Sequence, residues 1–283
     1  MSDALIDLIR PQRLTTVVDI GANPIDAEPP YRKLLDARLC RVIGFEPQPA
    51  ALAALDARKS DLETYLPHVV GDGSAGTLKV CRASGMTSLF TPDSHALRHF
   101  PRFAEWGQVV EEIPVQTHRL DDIRELGAFD FLKMDVQGSE LAVLHGGSER
   151  LKTVVAIQAE VSFIPLYRGQ PIFGEIDLAL RSLGFVPHSF AAINRRLIEP
   201  FYDDDPYKAL NQLLEADVVY VRDFMQPSRM SAEQLKHLAV TAHHCCGSFD
   251  LAANCLYHLA KTGAAPPDAV ERYVESLRAG ASA

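Results

Sequence analysis

Residues 17–23 read VVDIGAN and residues 41–47 read RVIGFEP, and together these two stretches decide the fold. Each is a short apolar run that stops at a chemically marked turn. The first breaks at Asp19-Ile20-Gly21, where a glycine lets backbone come close to a ligand. The second ends on Glu46, a carboxylate whose two oxygens suit the two hydroxyls of a ribose. Consecutive strands of an α/β sheet present an adenosyl group in this way. A nicotinamide dinucleotide asks for G-x-G-x-x-G in the first turn, so that its pyrophosphate rests on a helix N-terminus. Here the turn reads G-A-N-P-I-D, with a single glycine. A diphosphate is therefore not expected, and S-adenosylmethionine is the expected cofactor.

Outward from this pair, strand and helix alternate as far as about residue 225. Thr15–Ile20 reads as the first strand, and Pro30 opens a helix over YRKLLDA. Arg41–Glu46 reads as the second strand, and Pro49–Lys59 as an Ala/Leu-rich helix. Thr64–Val70 reads as a third strand ending in the Gly71-Asp72-Gly73 turn. Gly76–Cys81, Thr87–Phe90 and Val109–Thr117 are β-like but irregular. Phe129–Met134 is an apolar run broken by Asp130 and Lys133, as in a buried central strand. It passes through DVQGSE into a helix. Val154–Val161 reads as the next strand, followed by the helix FGEIDLALRSLG with Gly184 as its stop. Val186–Phe190 and Asp217–Val221 fit an antiparallel closing hairpin around a long polar insertion. The expected class is α/β and Rossmann-like, with five parallel strands and a reversed last strand.

The character changes after Gln226-Pro227. Residues 231–279 hold three helix-length stretches, divided by Gly247-Ser248 and by TGAAPP. A helical unit of this kind cannot bury its own apolar face, so it must pack on the main domain or on a second subunit. The expected organisation is an N-terminal capping segment (1–14), a main α/β domain (15–225) and a C-terminal helical appendage (230–283), with homo-oligomerisation through the last helices open.

The chain's 283 residues and 47% hydrophobic content suffice for one sizeable core. A net charge of −9 argues against a nucleic-acid partner, which wants clustered Lys and Arg. The five cysteines show no metal spacing. The opening MSDALIDLIRP reads as a capping helical turn stopped by Pro11, and no long apolar span follows. No membrane partner and a cytoplasmic location are the expectation.

Several side chains are candidates for chemistry. Asp19, Gly21 and Asn23 occupy the first turn, with Asp19 placed to receive the ammonium of the methionyl group. Asp72 is a candidate partner for the adenine amino group. LKMDVQGSE (132–140) is the densest signal: Asp135 stands at the end of a buried strand, Gln137 and Gly138 follow, and Ser139 or Glu140 can serve the next helix's N-terminus. Glu160 ends the following strand. If the strands are neighbours, Asp135 and Glu160 face one another and divide base and orienting roles, or share a divalent ion. His118 is a third candidate base. Asp203, Asp204 and Asp205 read as solvated, and His243-His244 beside Cys245-Cys246 has the wrong spacing for zinc.

In order along the chain, VVDIGAN, GFEP, MTSLF, FLKMDVQGSELAVLHGG and EVSFIPLYRGQPIFGEIDLALRSLGF resemble the FkbM family of S-adenosylmethionine-dependent methyltransferases, over residues 15–223. The resemblance implies a seven-stranded Rossmann-like sheet and O-methylation of a sugar or secondary-metabolite hydroxyl. It puts Asp19, Gly21, Asn23 and Glu46 on the cofactor motifs, and Asp135 with Gly138 on an Asp-Val-Glu-Gly motif. Two positions depart from the pattern. Ile25 stands where a second glycine is usual, and Gln137 stands where glutamate is common. An amide is neither a base nor an anionic metal ligand. These departures motivate a second reading, a non-catalytic binding or scaffold protein that keeps the sheet. The segment Thr87–Trp106 is a candidate lid over the acceptor, or ordinary packing.

Overall fold

The computed structural model describes residues 3–23, 28–205 and 207–280. Pro24 and Ile25, and with them the departure in the first loop, lie outside the described residues. Among the described residues the strands are β1 (Thr15–Ile20), β2 (Cys40–Phe45), β3 (Glu63–Leu66), β4 (Val69–Val70), β5 (Ala75–Cys81), β6 (Val109–His118), β7 (Phe131–Met134), β8 (Ala156–Ser162), β9 (Phe185–Arg196) and β10 (Gln212–Arg222). The α-helices are α1 (Ala4–Ile9), α2 (Arg32–Asp36), α3 (Pro49–Asp56), α4 (Ser94–Leu97), α5 (Phe103–Trp106), α6 (Glu140–Gly146), α7 (Phe173–Ser182), α8 (Ala232–His244), α9 (Phe249–Lys261) and α10 (Ala269–Gly280).

Seven strands form one sheet in the order β3-β2-β1-β7-β8-β10-β9. From β3 through β8 all neighbours are parallel, and β10 runs antiparallel to both β8 and β9. The fold is the expected Rossmann-like α/β sheet with a reversed last strand. Strand order reverses between β1 and β7, so their C-terminal ends splay apart at the crevice where such sheets bind ligands.

Two expected elements differ. The third strand stops at Leu66 because Pro67 lacks the N–H to continue the ladder; Val69–Val70 then pairs with β6 in a separate three-stranded sheet, β4-β6-β5. The closing hairpin is longer than its apolar stretches suggest, and continues as far as Arg196 and Gln212. Its outer half is exposed on β9, so the alternation there carries little apolar signal.

Side chains alternate across the strands, and each face has its own core. Val18, Ile20, Leu132, Met134, Ile157 and Ala159 face α6 and α7. Val17, Phe131, Ala156, Val219 and Val221 face the other way, toward α1, α2 and the C-terminal helices. The apolar face of those helices is thus buried on the sheet itself. Ser231 starts α8 with a capping box, its side chain accepting from Gln234 N–H and the Gln234 side chain accepting from Ser231 N–H. Asp130, 1% exposed, ties the N-terminal segment to the sheet: both of its oxygens accept from the Arg13 guanidinium, at 2.5 and 2.8 Å. A third cluster joins Cys81, Met86, Leu97, Phe100 and Phe103 to Leu166, Tyr167 and Leu214. The aromatic part of Thr87–Trp106 is therefore packing. No described helix is long and apolar enough to cross a membrane.

Candidate active site

Two clefts open at the C-terminal end of the sheet. The first, about 770 Å³ with part of it open to solvent, is walled by Ile20, Gly21, Phe45, Glu46, Val70 and Leu89 among others. Ile20, Phe45 and Val70 belong to the core beneath α6 and α7, so this cleft lies on that side of the sheet. The second, about 1410 Å³, is lined by Asp19, Tyr31, Tyr65, Lys133, Gln158 and Asp217 among others. It sits on the opposite face, beyond the apolar half covered by the C-terminal helices. Asn23 and Asp135 line both clefts.

The turn after β1 has the geometry its glycine predicts. Gly21 adopts φ +81°, and a Cβ there would lie 2.0 Å from the carbonyl oxygen of Asp135. Only a residue without a side chain lets these strand ends approach so closely. Gly21 and Ala22 both donate their N–H to Phe45 O, which locks the turn against the end of β2. Glu46, 2% exposed, follows directly, and its Oε1 accepts the Gln48 N–H at 2.7 Å.

Asp19 belongs elsewhere. Its side chain points into the second cleft, where Oδ2 accepts from Tyr31 Oη at 2.6 Å and Oδ1 lies 3.4 Å from Lys133 Nζ. Alternation along β1 turns the Asp19 side chain, the candidate for a methionyl ammonium, away from the first cleft and toward Tyr31 and Lys133. Burial beside the Asp19 charge pushes the Tyr31 phenol well above its usual range. Asp72 and His118 are likewise not brought to a cleft. Asp72 is exposed, and its Oδ1 accepts from Ser74 N and Oγ. His118 ends β6 with an exposed ring set 4.5 Å from that of His68. Of this pair it is His68 that lines the first cleft.

The turn after β7 brings the other candidates together. Asp135 follows β7 and Glu160 lies on the adjacent parallel β8, each one residue beyond the last pair of their ladder, and the Gln137 side chain lies between them. Its Nε2 donates to Asp135 Oδ1 at 3.0 Å and to Glu160 Oε2 at 2.8 Å. Burial, then the Asp135 charge, pushes the Glu160 carboxyl well above the usual carboxylate range. Asp217, paired with Glu160 across the ladder, is raised by burial and then by Asp135. Glu140 rather than Ser139 serves the turn, accepting the N–H of Val136 at 3.0 Å and of Gly138 at 3.3 Å. This donor set does not suit a divalent cation. The two carboxylates are joined through amide hydrogens, and among the described residues no group of three or more His, Cys, Asp or Glu is arranged to hold a metal.

Tyr31, Lys133, Gln158 and Asp217 were not singled out by the sequence reading. A signal was present: Lys133 and Asp135, like Gln158 and Glu160, are polar residues two apart on buried strands. That spacing puts each pair on one face, and strand register then aligns Asp19, Lys133 and Gln158 in a row.

Residues 19–187 match the Methyltransferase FkbM domain. The chain belongs to the FkbM methyltransferase family. Over 183 residues it is 31% identical to the 2-O-methyltransferase NoeI of Sinorhizobium fredii, covering 57% of this chain and 70% of that protein. Among solved structures, the METTL16 methyltransferase domain aligns at a TM-score of 0.36 and 12% identity, over 77% of this chain and 64% of that one. LepI in complex with SAM aligns at 0.31 and 11% identity, over 75% and 44%. At such scores these two likenesses add nothing to the sheet order described above.

Proposed function

We propose that this FkbM-family methyltransferase is S-adenosylmethionine-dependent and methylates a hydroxyl of a small polyhydroxylated acceptor, a sugar or a secondary metabolite. The observation that carries this reading is that one carboxylate, Asp135, lines both clefts. The residues of the first cleft fit the cofactor. Gly21 lets the ends of β1 and β7 meet closely at the edge of this cleft, and buried Glu46 stands where a ribose diol needs an acceptor. The second cleft suits the acceptor, since Lys133, Gln158, Asn194 and Asp217 with the faces of Tyr31 and Tyr65 offer alternating donors and acceptors.

When bound, S-adenosylmethionine supplies an electrophilic methyl group on a positively charged sulfur. The chain's own residues orient and deprotonate. Glu46 accepts from the ribose hydroxyls, and Gly21 lets the backbone pass beneath the ligand. An alcohol is a weak nucleophile at neutral pH, so a base must take its proton as the new bond forms. Asp135 accepts that proton at Oδ2, because Oδ1 is engaged by Gln137. Glu160, whose carboxyl is pushed upward by burial and by the Asp135 charge, orients the acceptor from across the pair. Much of the rate comes from keeping hydroxyl and methyl in line. In this reading residues 15–225 carry the transfer, while α1 and the helices α8, α9 and α10 pack on one face of the sheet.

O-methylation is also what the name of NoeI states for that relative. The test is calorimetry with S-adenosylhomocysteine, followed by labelled methyl transfer to a panel of sugars with wild type and Asp135→Asn. We expect binding by both proteins and transfer by wild type alone. A protein that ignores the cofactor product at millimolar concentration is a scaffold, and the enzymatic reading then fails.

A further inference from the structure

Gln137 is held in place with more contacts than its role as a turn residue requires. It takes φ +51°, a left-handed conformation that costs a residue bearing a Cβ. Its backbone oxygen accepts from Ser88 Oγ at 2.7 Å, and the N–H groups on either side, of Val136 and Gly138, are taken by Glu140. Its side-chain oxygen faces Tyr167 Oη at 3.1 Å. Tyr167 Oη, which also lies 3.1 Å from Met86 O, helps hold the amide, and the acids set its direction: the NH2 end points at Asp135 and Glu160, because a flipped amide would put its carbonyl oxygen against the Asp135 carboxylate. One N–H goes to each acid. A glutamate here would place three carboxylates in mutual contact, an arrangement that calls for a hard cation with oxygen ligands.

We propose that Gln137 is the positioning residue of this centre, its amide bridging Asp135 and Glu160 in the place a divalent cation would take, so that methyl transfer here is independent of divalent metal. The amide supplies two fixed hydrogens rather than charge. It holds Asp135 Oδ1 and leaves Oδ2 turned toward the acceptor, and it keeps Glu160 from swinging away. The inference rests on the proposed reading of Asp135 as base, but it makes a claim about metal binding that needs no turnover.

The test uses the full chain. Mn²⁺ titrations by calorimetry are run on wild type, Gln137→Glu and Gln137→Ala, alongside S-adenosylhomocysteine titrations and methyl transfer with and without EDTA. Wild type is expected to show no Mn²⁺ binding at millimolar metal and no loss of transfer in EDTA. Gln137→Glu gains Mn²⁺ binding that a further Asp135→Asn change removes. Gln137→Ala lowers kcat by about tenfold to a hundredfold with cofactor affinity within about twofold, a split that general unfolding would not give. Mn²⁺ binding by wild type that Asp135→Asn abolishes overturns the proposal, as does an unchanged kcat in Gln137→Ala. Tyr167→Phe, which removes that hold on the amide, gives a second route to the same kcat loss should Gln137→Glu not fold. If cofactor binds but no acceptor is methylated, the proposed acceptor class fails while the wild-type Mn²⁺ result still decides this inference.

Discussion

Glu140→Gln should flatten the dependence of stability on pH, and the size of the effect follows from one buried side chain. Glu140 is 4% exposed beneath the turn that carries Gln137. Burial pushes its carboxyl from the ordinary 4.5 up to about 7, with backbone N–H bonds opposing and the Asp135 charge adding. Between those values the folded state holds a proton that the unfolded chain has released. Stability is therefore greatest below the unfolded value and falls as pH rises through the folded one. A rise of about 2.5 pH units at ~1.36 kcal/mol per unit amounts to about 3 kcal/mol. Glutamine has no proton to lose. Burying its NH2 where a carboxyl oxygen stood shifts the whole curve by about 1–3 kcal/mol without changing its slope. The stability of the variant relative to wild type should thus climb by about 3 kcal/mol between about pH 4 and about pH 8. Urea unfolding followed by the fluorescence of Trp106, the chain's one tryptophan, measures this directly. A difference that stays constant with pH, or a variant that loses ground as pH rises, would refute the reasoning.

Gly21→Ala puts a Cβ onto the Asp135 carbonyl and a side chain at positive φ; it should cost about 2 kcal/mol or more in urea and abolish binding of S-adenosylhomocysteine, and a wild-type unfolding midpoint would contradict the geometry. Glu46→Ala should leave folding intact and weaken S-adenosylhomocysteine about tenfold to a hundredfold, the worth of a hydrogen bond to a charged group; unchanged calorimetric affinity would move the ribose elsewhere. Tyr31→Phe strips Asp19 of its 2.6 Å partner in a buried site and should cost about 1.5–3 kcal/mol of stability by denaturant titration. A neutral result there would mean that Lys133 alone satisfies the carboxylate.

The elements that were legible in the sequence were those whose signal is local. β1 needs a β-branched run and a glycine turn, and VVDIGAN supplies both within seven residues. The stops of the C-terminal helices are equally local, at Gly247-Ser248 and in TGAAPP, and the structure ends α8 and α9 there. The third strand was overextended because the apolar signal continues past Pro67, although the proline forbids the ladder. Asp72 and His118 were singled out for standing near strand ends. Nothing in their neighbourhood reports that one would turn back onto Ser74 and the other lie against His68.

Side-chain direction is where the sequence stops. Residue order determined the alternation of strands and helices, the glycine turn at residue 21, the acid closing β2, and the crowding of Asp135, Gln137 and Gly138 into one turn, because each depends on neighbours a few positions away. Tertiary structure decided which face Asp19 enters, that Gln137 spans the gap between Asp135 and Glu160, and that Lys133 and Gln158 line a cleft rather than fill a core. Those outcomes depend on the register of strands separated by up to a hundred and more residues, with Asp19 against Lys133 and Lys133 against Gln158. A shift of one residue in either pairing would turn the polar row into the opposite core.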